Sequence, residues 1–452
     1  MGETAFQFDY AFLPGGWQKD VRVAVRDGFI VAIGTSDDAG PATRMAGAAL
    51  PGLPNLHSHT FQRGMAGLAE TRGPGSDSFW TWREVMYRFL GALTPDDVEA
   101  IAAMAMVEML EGGFTALAEF HYLHHAADGT LYADSAELGG RIVAAARETG
   151  IALTLLPVFY AQGGFGGQPA QPGQRRFISA NTDAYLSLRE ATKAHTSRHG
   201  MMLGAAPHSL RAVTPDQLSS FVAALPDGPI HIHVAEQTRE VEDCIAWSGA
   251  RPVRWLLDHA PVDRRWCLIH ATHMDAGEVA DMARSGAIAG LCPITEANLG
   301  DGVFAGPAFR EQGGLYGVGS DSNVEIDGAG ELRLFEYGQR LFHRGRNMMA
   351  AHEGASTGET LYRDALRGGA QALGQKLGTL EIGQRADIVV LDINHPGMTG
   401  QPKNWLDSYL FVAGKGAIKT VLTAGQICVS DGRHHKRDPI VARFKQTMAR
   451  LA

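Results

Sequence analysis

The sequence predicts an α/β protein: a (β/α)8 TIM-like barrel with a small β-sandwich domain built from both chain ends. Three observations carry that expectation. Eight short apolar segments, ALPGLPNLH, FTALAEF, IALTLLPVF, MLGAAPH, IHIHVAE, WCLIHAT, AIAGLCP and LYGVGSD, succeed one another through the middle of the chain. Helical patterns such as DDVEAIAAMAMVEMLEGG and SAELGGRIVAAARETG separate most of them. Strand-helix alternation over this length is the pattern of a closed parallel barrel. The two ends have a different texture. VRVAVRDGFIVAIG alternates around the turn signal Asp27-Gly28, RADIVVLDI reads as a buried strand, and KTVLTAGQICVSDG reads as another hairpin. Residues 1–50 and 376–452, the latter with a C-terminal helix, are therefore expected to enclose a catalytic barrel of residues 51–375.

Size and composition agree. A chain of 452 residues is long for one compact unit, which favours a large domain with a smaller one. With 45% hydrophobic and 20% charged residues it is ordinary globular material. Its formal charge of −9, from 40 basic against 49 acidic residues, argues against nucleic acid as a partner. An anionic small molecule is still compatible, because a local cluster of arginines overrides the global sign. No run of about 18 apolar residues is present, so no membrane span is expected. The start MGETAFQFDY lacks the basic residues and continuous apolar core of a secretory signal, and Phe6 stands where myristoylation needs Ser or Thr. Cys244, Cys267, Cys292 and Cys428 lie far apart without paired spacing, which reads as reduced thiols in a cytoplasmic protein.

On a barrel, catalytic groups gather at the C-terminal ends of the strands. LHSHTFQRG places His57 and His59 there, two residues apart, so both imidazoles can face one ion. IHIHVAEQ offers His231 and His233 after the fifth segment, and GVGSDSN offers Asp321 after the eighth. Three imidazoles and a carboxylate suit a zinc-like ion with room for water. The Gly/Gln/Pro-rich stretch AQGGFGGQPAQPGQ, residues 161–174, is a surface loop or lid candidate.

These local patterns resemble the amidohydrolase superfamily in its mononuclear deaminase branch. The matching pieces are His57-x-His59, the His-x-x-Glu of His233 and Glu236, His270 after the sixth segment, Asp321 after the eighth, and the tail GTLEIGQRADIVVLD. The resemblance selects His233 over His231 and implies His57, His59, His233 and Asp321 as metal ligands. It implies Glu236, His270 and Asp321 as catalytic groups. Two-metal members use a lysine on the fourth strand, and MLGAAPH has none. One Zn2+ per subunit is therefore expected, with other divalent transition metals able to take the same ligands. A homodimer is expected from the same resemblance.

Specificity must come from other strand-end groups: Gln62, Arg83 in SFWTWREVMYRFL, Tyr122 in EFHYLHH, and His208 with Arg211 in APHSLRAV. Two arginines with an amide, a phenol and an imidazole suit a dicarboxylate. LHSHTFQRGMAG, APHSLRAVTP, HVAEQTREV and GSDSN together resemble the deiminases that act on N-formimino-L-glutamate in bacterial histidine degradation. That resemblance implies hydrolysis of a linear amidine to N-formyl-L-glutamate and ammonia. The competing readings are a deaminase of a heterocycle such as guanine, cleavage of the other C–N bond with release of formamide, and a non-catalytic barrel scaffold. Arg83 alternatively reads as a surface arginine and Tyr122 as packing under a loop. His124-His125 and His434-His435 read as surface histidines, RLFHRGRNMMA as a cationic helix face or subunit contact, and Cys292 as packing.

Overall fold

The computed structural model describes residues 2–38, 40–72, 79–398 and 400–451. Leu53–Ser58, Phe114–His121, Ala152–Phe159 and the short pieces Met202–Leu203 and Ala206–Pro207 form one parallel run. Ile230–Val234, Trp266–His270, Ile288–Leu291 and Leu315–Val318 form a second. Parallel bridges Ala205–Ile230 and Ser58–Asp321 join the two runs at both edges, which closes the barrel. Every residue of the first three barrel strands is buried, as expected where helices cover one face and the interior fills the other.

Local sequence explains where the intervening helices begin and end. Pro95–Glu111, Pro215–Ala224 and Ala276–Ser285 each start at a reciprocal capping box, Thr94 with Asp97, Thr214 with Gln217 and Asp275 with Glu278. The fourth strand is not continuous as the pattern MLGAAPH suggests. Gly204 N donates to Leu155 O at 2.9 Å, then Ala205 N turns to Pro229 O on the opposite neighbour at 3.0 Å. A Cβ at Gly204 would lie 2.8 Å from the backbone oxygen of Pro229 as well as 2.4 Å from Leu156 Cδ2, so the switch favours glycine.

Both chain ends meet in one eight-stranded sheet. Thr4–Leu13, Gly16–Arg26, Phe29–Thr35 and Thr43–Pro51 come from the front, and Ile388–Leu391, Ile418–Thr423, Gln426–Ser430 and Arg433–His434 from the back. The seam is antiparallel pairing of Thr43–Pro51 with Ile388–Leu391. The sheet curls until its outer turns touch: Ala386 N donates to Gly28 O at 2.9 Å and Gly425 N to Ala386 O at 2.8 Å. Phe8, Val23, Ile388 and Leu422 fill the core inside the curl. The final helix, Arg437–Leu451, returns to the barrel through ion pairs of Arg437 with Glu111 and Arg450 with Asp97. No helix among the described residues is long and apolar enough to cross a membrane.

The expected surface histidines are a correction. His124, His125 and His434 are buried. Their ring nitrogens donate to the carbonyls of Val158, Ile178 and Thr149 at 2.9, 2.8 and 2.9 Å. A backbone carbonyl satisfies an imidazole without any second ligand, so pairing in sequence was a poor guide to exposure. His435 alone of the four is exposed.

Candidate active site

The barrel's C-terminal rim brings the sequence-selected histidines together. Asp321 N donates to His57 O at 3.0 Å and His59 N to Asp321 O at 2.9 Å, which stitches the first strand to the eighth. Asn323 secures the junction, its amide donating to Ser58 Oγ at 3.0 Å, His59 O at 3.1 Å and Asp321 O at 2.9 Å. The His57, His59 and His233 rings offer ligand atoms within 4.8 Å of one another. His57 Nε2 lies 3.1 Å from His233 Nε2 and 3.5 Å from Asp321 Oδ1, and His59 Nε2 lies 3.4 Å from Asp321 Oδ1. His231 is outside this group, its Nε2 bonding Ala372 O at 2.8 Å.

The donor chemistry fits a divalent ion. His59 Nδ1 donates to Phe120 O at 2.9 Å and His233 Nδ1 to His208 O at 3.0 Å. A carbonyl only accepts, so in each ring the proton sits on Nδ1 and the Nε2 lone pair points inward. Burial pulls the His57 and His233 pKa values well below the usual imidazole range, helped by neighbouring imidazoles, and lowers His59 as well. Neutral rings with converging lone pairs beside a carboxylate form the donor set that zinc takes.

A second cluster adjoins the first. His270 Nε2 is 3.8 Å from both Glu236 Oε1 and Asp321 Oδ2, while its Nδ1 meets Glu296 Oε1 at 3.2 Å. Burial opposes the charged imidazolium, but the Glu236, Glu296 and Asp321 carboxylates outweigh it and hold His270 up at about 10. Burial pushes Glu236 up to about 7, against the attraction of His270 and Arg211. Glu236 is thus no exposed helix-start carboxylate, and His270 no histidine bonded merely to backbone. His270 and Asp321 adopt left-handed backbone at φ 67° and 44°, strain of the kind that concentrates at functional sites. Cys292, read as packing, places its sulfur within 4.8 Å of ligand atoms on His270 and Asp321, and burial keeps its thiol protonated.

Gln62, Arg83, Tyr122, His208 and Arg211 line the same cavity as these groups, about 710 Å³ and partly open to solvent. Gln62 Nε2 donates to Tyr122 Oη at 2.9 Å, and that hydroxyl donates to Met86 Sδ at 3.2 Å. Arg83 and Arg211 face the Trp80 ring from 4.6 and 5.7 Å. The Nε–H of each is buried without a protein acceptor among the described residues. Arg83 comes from the helix Phe79–Leu90 and Arg211 from the loop beyond the divided fourth strand.

Sequence reasoning missed Glu296, Asn323 and Tyr160. Glu296 and Asn323 carried faint signals: Glu296 opens a helix just past the seventh strand, and Asn323 closes the GSDSN motif. Their partners are remote in sequence, so spacing could not reveal the bonds.

The closed parallel barrel gathers these polar groups at the end where barrel enzymes carry their active sites. Residues 48–428 match the amidohydrolase family. The chain belongs to the amidohydrolase family. Residues 9–47 match the N-terminal domain of formimidoylglutamate deiminase HutF. The chain is similar to formimidoylglutamate deiminase of Pseudomonas aeruginosa, 52% identical over 99% of each chain. It is also 27% identical to a 5-methylthioadenosine/S-adenosylhomocysteine deaminase of Natronomonas pharaonis, covering 91% of this chain and 88% of that one. Among solved structures, an amidohydrolase from Brucella melitensis aligns with a TM-score of 0.94 at 50% identity over 99% of both chains. A zinc-bound adenosine deaminase from Xanthomonas campestris aligns at 0.82 and 21% identity over 99% of this chain and 98% of that one, a likeness of fold.

Proposed function

We propose that this enzyme hydrolyses N-formimino-L-glutamate to N-formyl-L-glutamate and ammonia, a step of histidine degradation. One observation carries the substrate assignment: Arg83 and Arg211 each keep a buried Nε–H without an acceptor among the described residues, in the cavity that the histidine cluster also lines. Buried cationic donors need anionic acceptors, and this substrate brings two carboxylates beside its amidinium. A neutral purine would leave both Nε–H donors without an anionic acceptor, even though Glu240 and Glu236 offset part of the Arg211 charge. The similarity to the P. aeruginosa deiminase supports the same choice.

In this reading His57, His59, His233 and Asp321 would hold one Zn2+ per subunit, which when bound would supply the Lewis acidity that makes water nucleophilic near neutral pH. Asp321 accepts the water proton. His270 Nε2, close to both Glu236 and Asp321, orients the oxygen toward the amidinium carbon. Glu236, held near neutrality, delivers a proton to the departing nitrogen so that it leaves as ammonia. Glu296 fixes the His270 ring by accepting from Nδ1. Gln62, Arg83, Tyr122, His208 and Arg211 bind the glutamate moiety. Burial and the nearby Arg211 hold His208 well below its usual range, so it meets a carboxylate as a neutral donor. We take residues 1–50 with 376–452 as the small domain, 51–375 as the barrel, the cytoplasm as the location, and a homodimer as the assembly. Leu341 and Phe342, 80% and 67% exposed at a helix end, offer apolar surface for such a contact.

The test is ammonia release from N-formimino-L-glutamate by zinc-loaded protein, with the product identified by mass. A kcat/KM of about 10⁴ M⁻¹s⁻¹ or more is expected. No turnover by zinc-loaded protein, or formamide as product, would overturn the assignment.

A further inference from the structure

The reaction above gives the buried Tyr160 hydroxyl of the pocket no role. Tyr160 directly follows the third barrel strand, is 7% exposed, and lines the cavity with Arg83 and Arg211. Its ring packs on His208 at 4.6 Å between centroids. Its hydroxyl partner is Gln174, from the Gly/Gln/Pro-rich stretch, whose Nε2 lies 2.7 Å from Tyr160 Oη.

The direction of that bond follows from the other end of the amide. Gln174 Oε1 accepts from the backbone N–H of Gln171 at 2.7 Å, and a backbone N–H can only donate. The amide nitrogen must therefore face the phenol, with no ambiguity of flip. A phenol that accepts from an amide retains its own proton to donate elsewhere. Tyr122 spends its proton on Met86 Sδ, but Tyr160 shows no acceptor among the described residues. Burial raises the Tyr160 phenol above its ordinary range against the pull of Arg211 and Arg83, so it stays protonated at neutral pH.

Backbone bonds set Tyr160 beside Arg211. Ala161 N and Gln162 N, the next two residues, both donate to Ala212 O, at 2.8 and 2.9 Å. Ser179 N donates to Tyr160 O at 2.8 Å, so the stretch is tied at its far end as well. It is anchored to the pocket wall, and Gln174 is fully buried at its end.

We propose that Tyr160 is a further substrate-binding residue, its O–H donating to the carboxylate held by Arg211, with Gln174 as the residue that positions it. The proposal rests on the dicarboxylate amidine reading of the site. Loss of one hydrogen bond to a charged group typically costs about 10- to 100-fold in binding or rate.

The experiment compares wild type, Tyr160→Phe and Gln174→Leu on N-formimino-L-glutamate and on its α- and γ-monocarboxamide analogues, with bound zinc measured for each. Tyr160→Phe should lower kcat/KM about 10- to 100-fold on the dicarboxylate, mainly through KM, at unchanged zinc content. On the analogue whose amide replaces the carboxylate at Arg211, that loss should shrink to a few-fold. Gln174→Leu should shift the same parameter in the same direction by less. An unchanged kcat/KM for Tyr160→Phe on the dicarboxylate, or an equal loss on all three substrates, would overturn the proposal while leaving the reaction intact. Failure of wild type itself to release ammonia would overturn the substrate assignment, and the Tyr160 proposal with it.

Discussion

The two walls of the pocket are held by different kinds of bond. On the metal-binding wall, backbone pairing does the placing. His57 and Asp321 sit on adjoining strands joined by direct N–H to O=C bonds, and Asn323 adds three more contacts to the seam. Among the residues proposed for recognition, loops and side-chain bonds carry more of the placing, although backbone bonds to Ala212 O fix Tyr160 beside Arg211. Arg83 arrives on a helix, Arg211 on a loop after a divided strand, and Tyr122 is oriented by Gln62. Strand register places an atom to within a fraction of an ångström and is costly to change. Loop residues can be exchanged with the barrel left intact, which is how one scaffold serves several substrates.

Breaking the chemical wall should give the larger effect. Glu236→Gln removes the proposed proton donor while conserving shape, and turnover is expected to fall by about 10²- to 10⁴-fold with zinc content retained. Steady-state rates together with metal analysis check this, and near-normal turnover would take Glu236 out of the mechanism.

The recognition wall should yield less on the same scale. Arg211→Met is expected to lower kcat/KM for N-formimino-L-glutamate by about 100-fold, again with zinc content unchanged. Loss of metal in this variant would mean that the two walls are not independent, and the contrast drawn above would fail.

The smallest effect belongs to stability beneath the chemical wall. Burial pushes the Glu119 carboxyl up to about 8 from 4.5, although Thr60 donates to it through both its N–H and its hydroxyl. Between those two pH values the folded state binds more protons than the unfolded chain. The stability this group contributes is therefore complete below about 4.5 and is lost as pH rises through about 8. Glu119→Gln keeps an acceptor for Thr60 and cannot ionise. Its melting temperature should gain on wild type between pH 5 and pH 8 by a margin on the order of 2 °C. A pH-independent difference between the two proteins would show that Glu119 does not titrate in this way.

The sequence disclosed the chemical wall more fully than the recognition wall. His57, His59, His231, His233 and Asp321 could be picked out because each lies at a strand end, whereas Glu236 and His270 needed the family resemblance as well. Such short spacings survive folding almost unchanged. Choosing His233 over His231 took a family pattern, since both point to the same side of their strand. Arg83 and Tyr122 each remained open to a surface or packing reading. Their environment is made by Trp80, Met86 and Gln62, and no local pattern reports which loop will close on which. His124, His125 and His434 were misread as exposed for the same reason, their partners being carbonyls on other elements.

By itself, then, the sequence determined the alternation that makes a barrel, the two ends that make a separate sheet, and the strand-end donors that suit a metal. These depend on periodicity, capping and spacing, which act over a few residues. Tertiary structure alone decided that Glu296 supports His270, that Asn323 locks the first strand to the eighth, and that Gln174 turns the Tyr160 hydroxyl free to donate. Those arrangements join residues from different strands and loops, and a hydrogen bond is set by distance in space rather than distance along the chain.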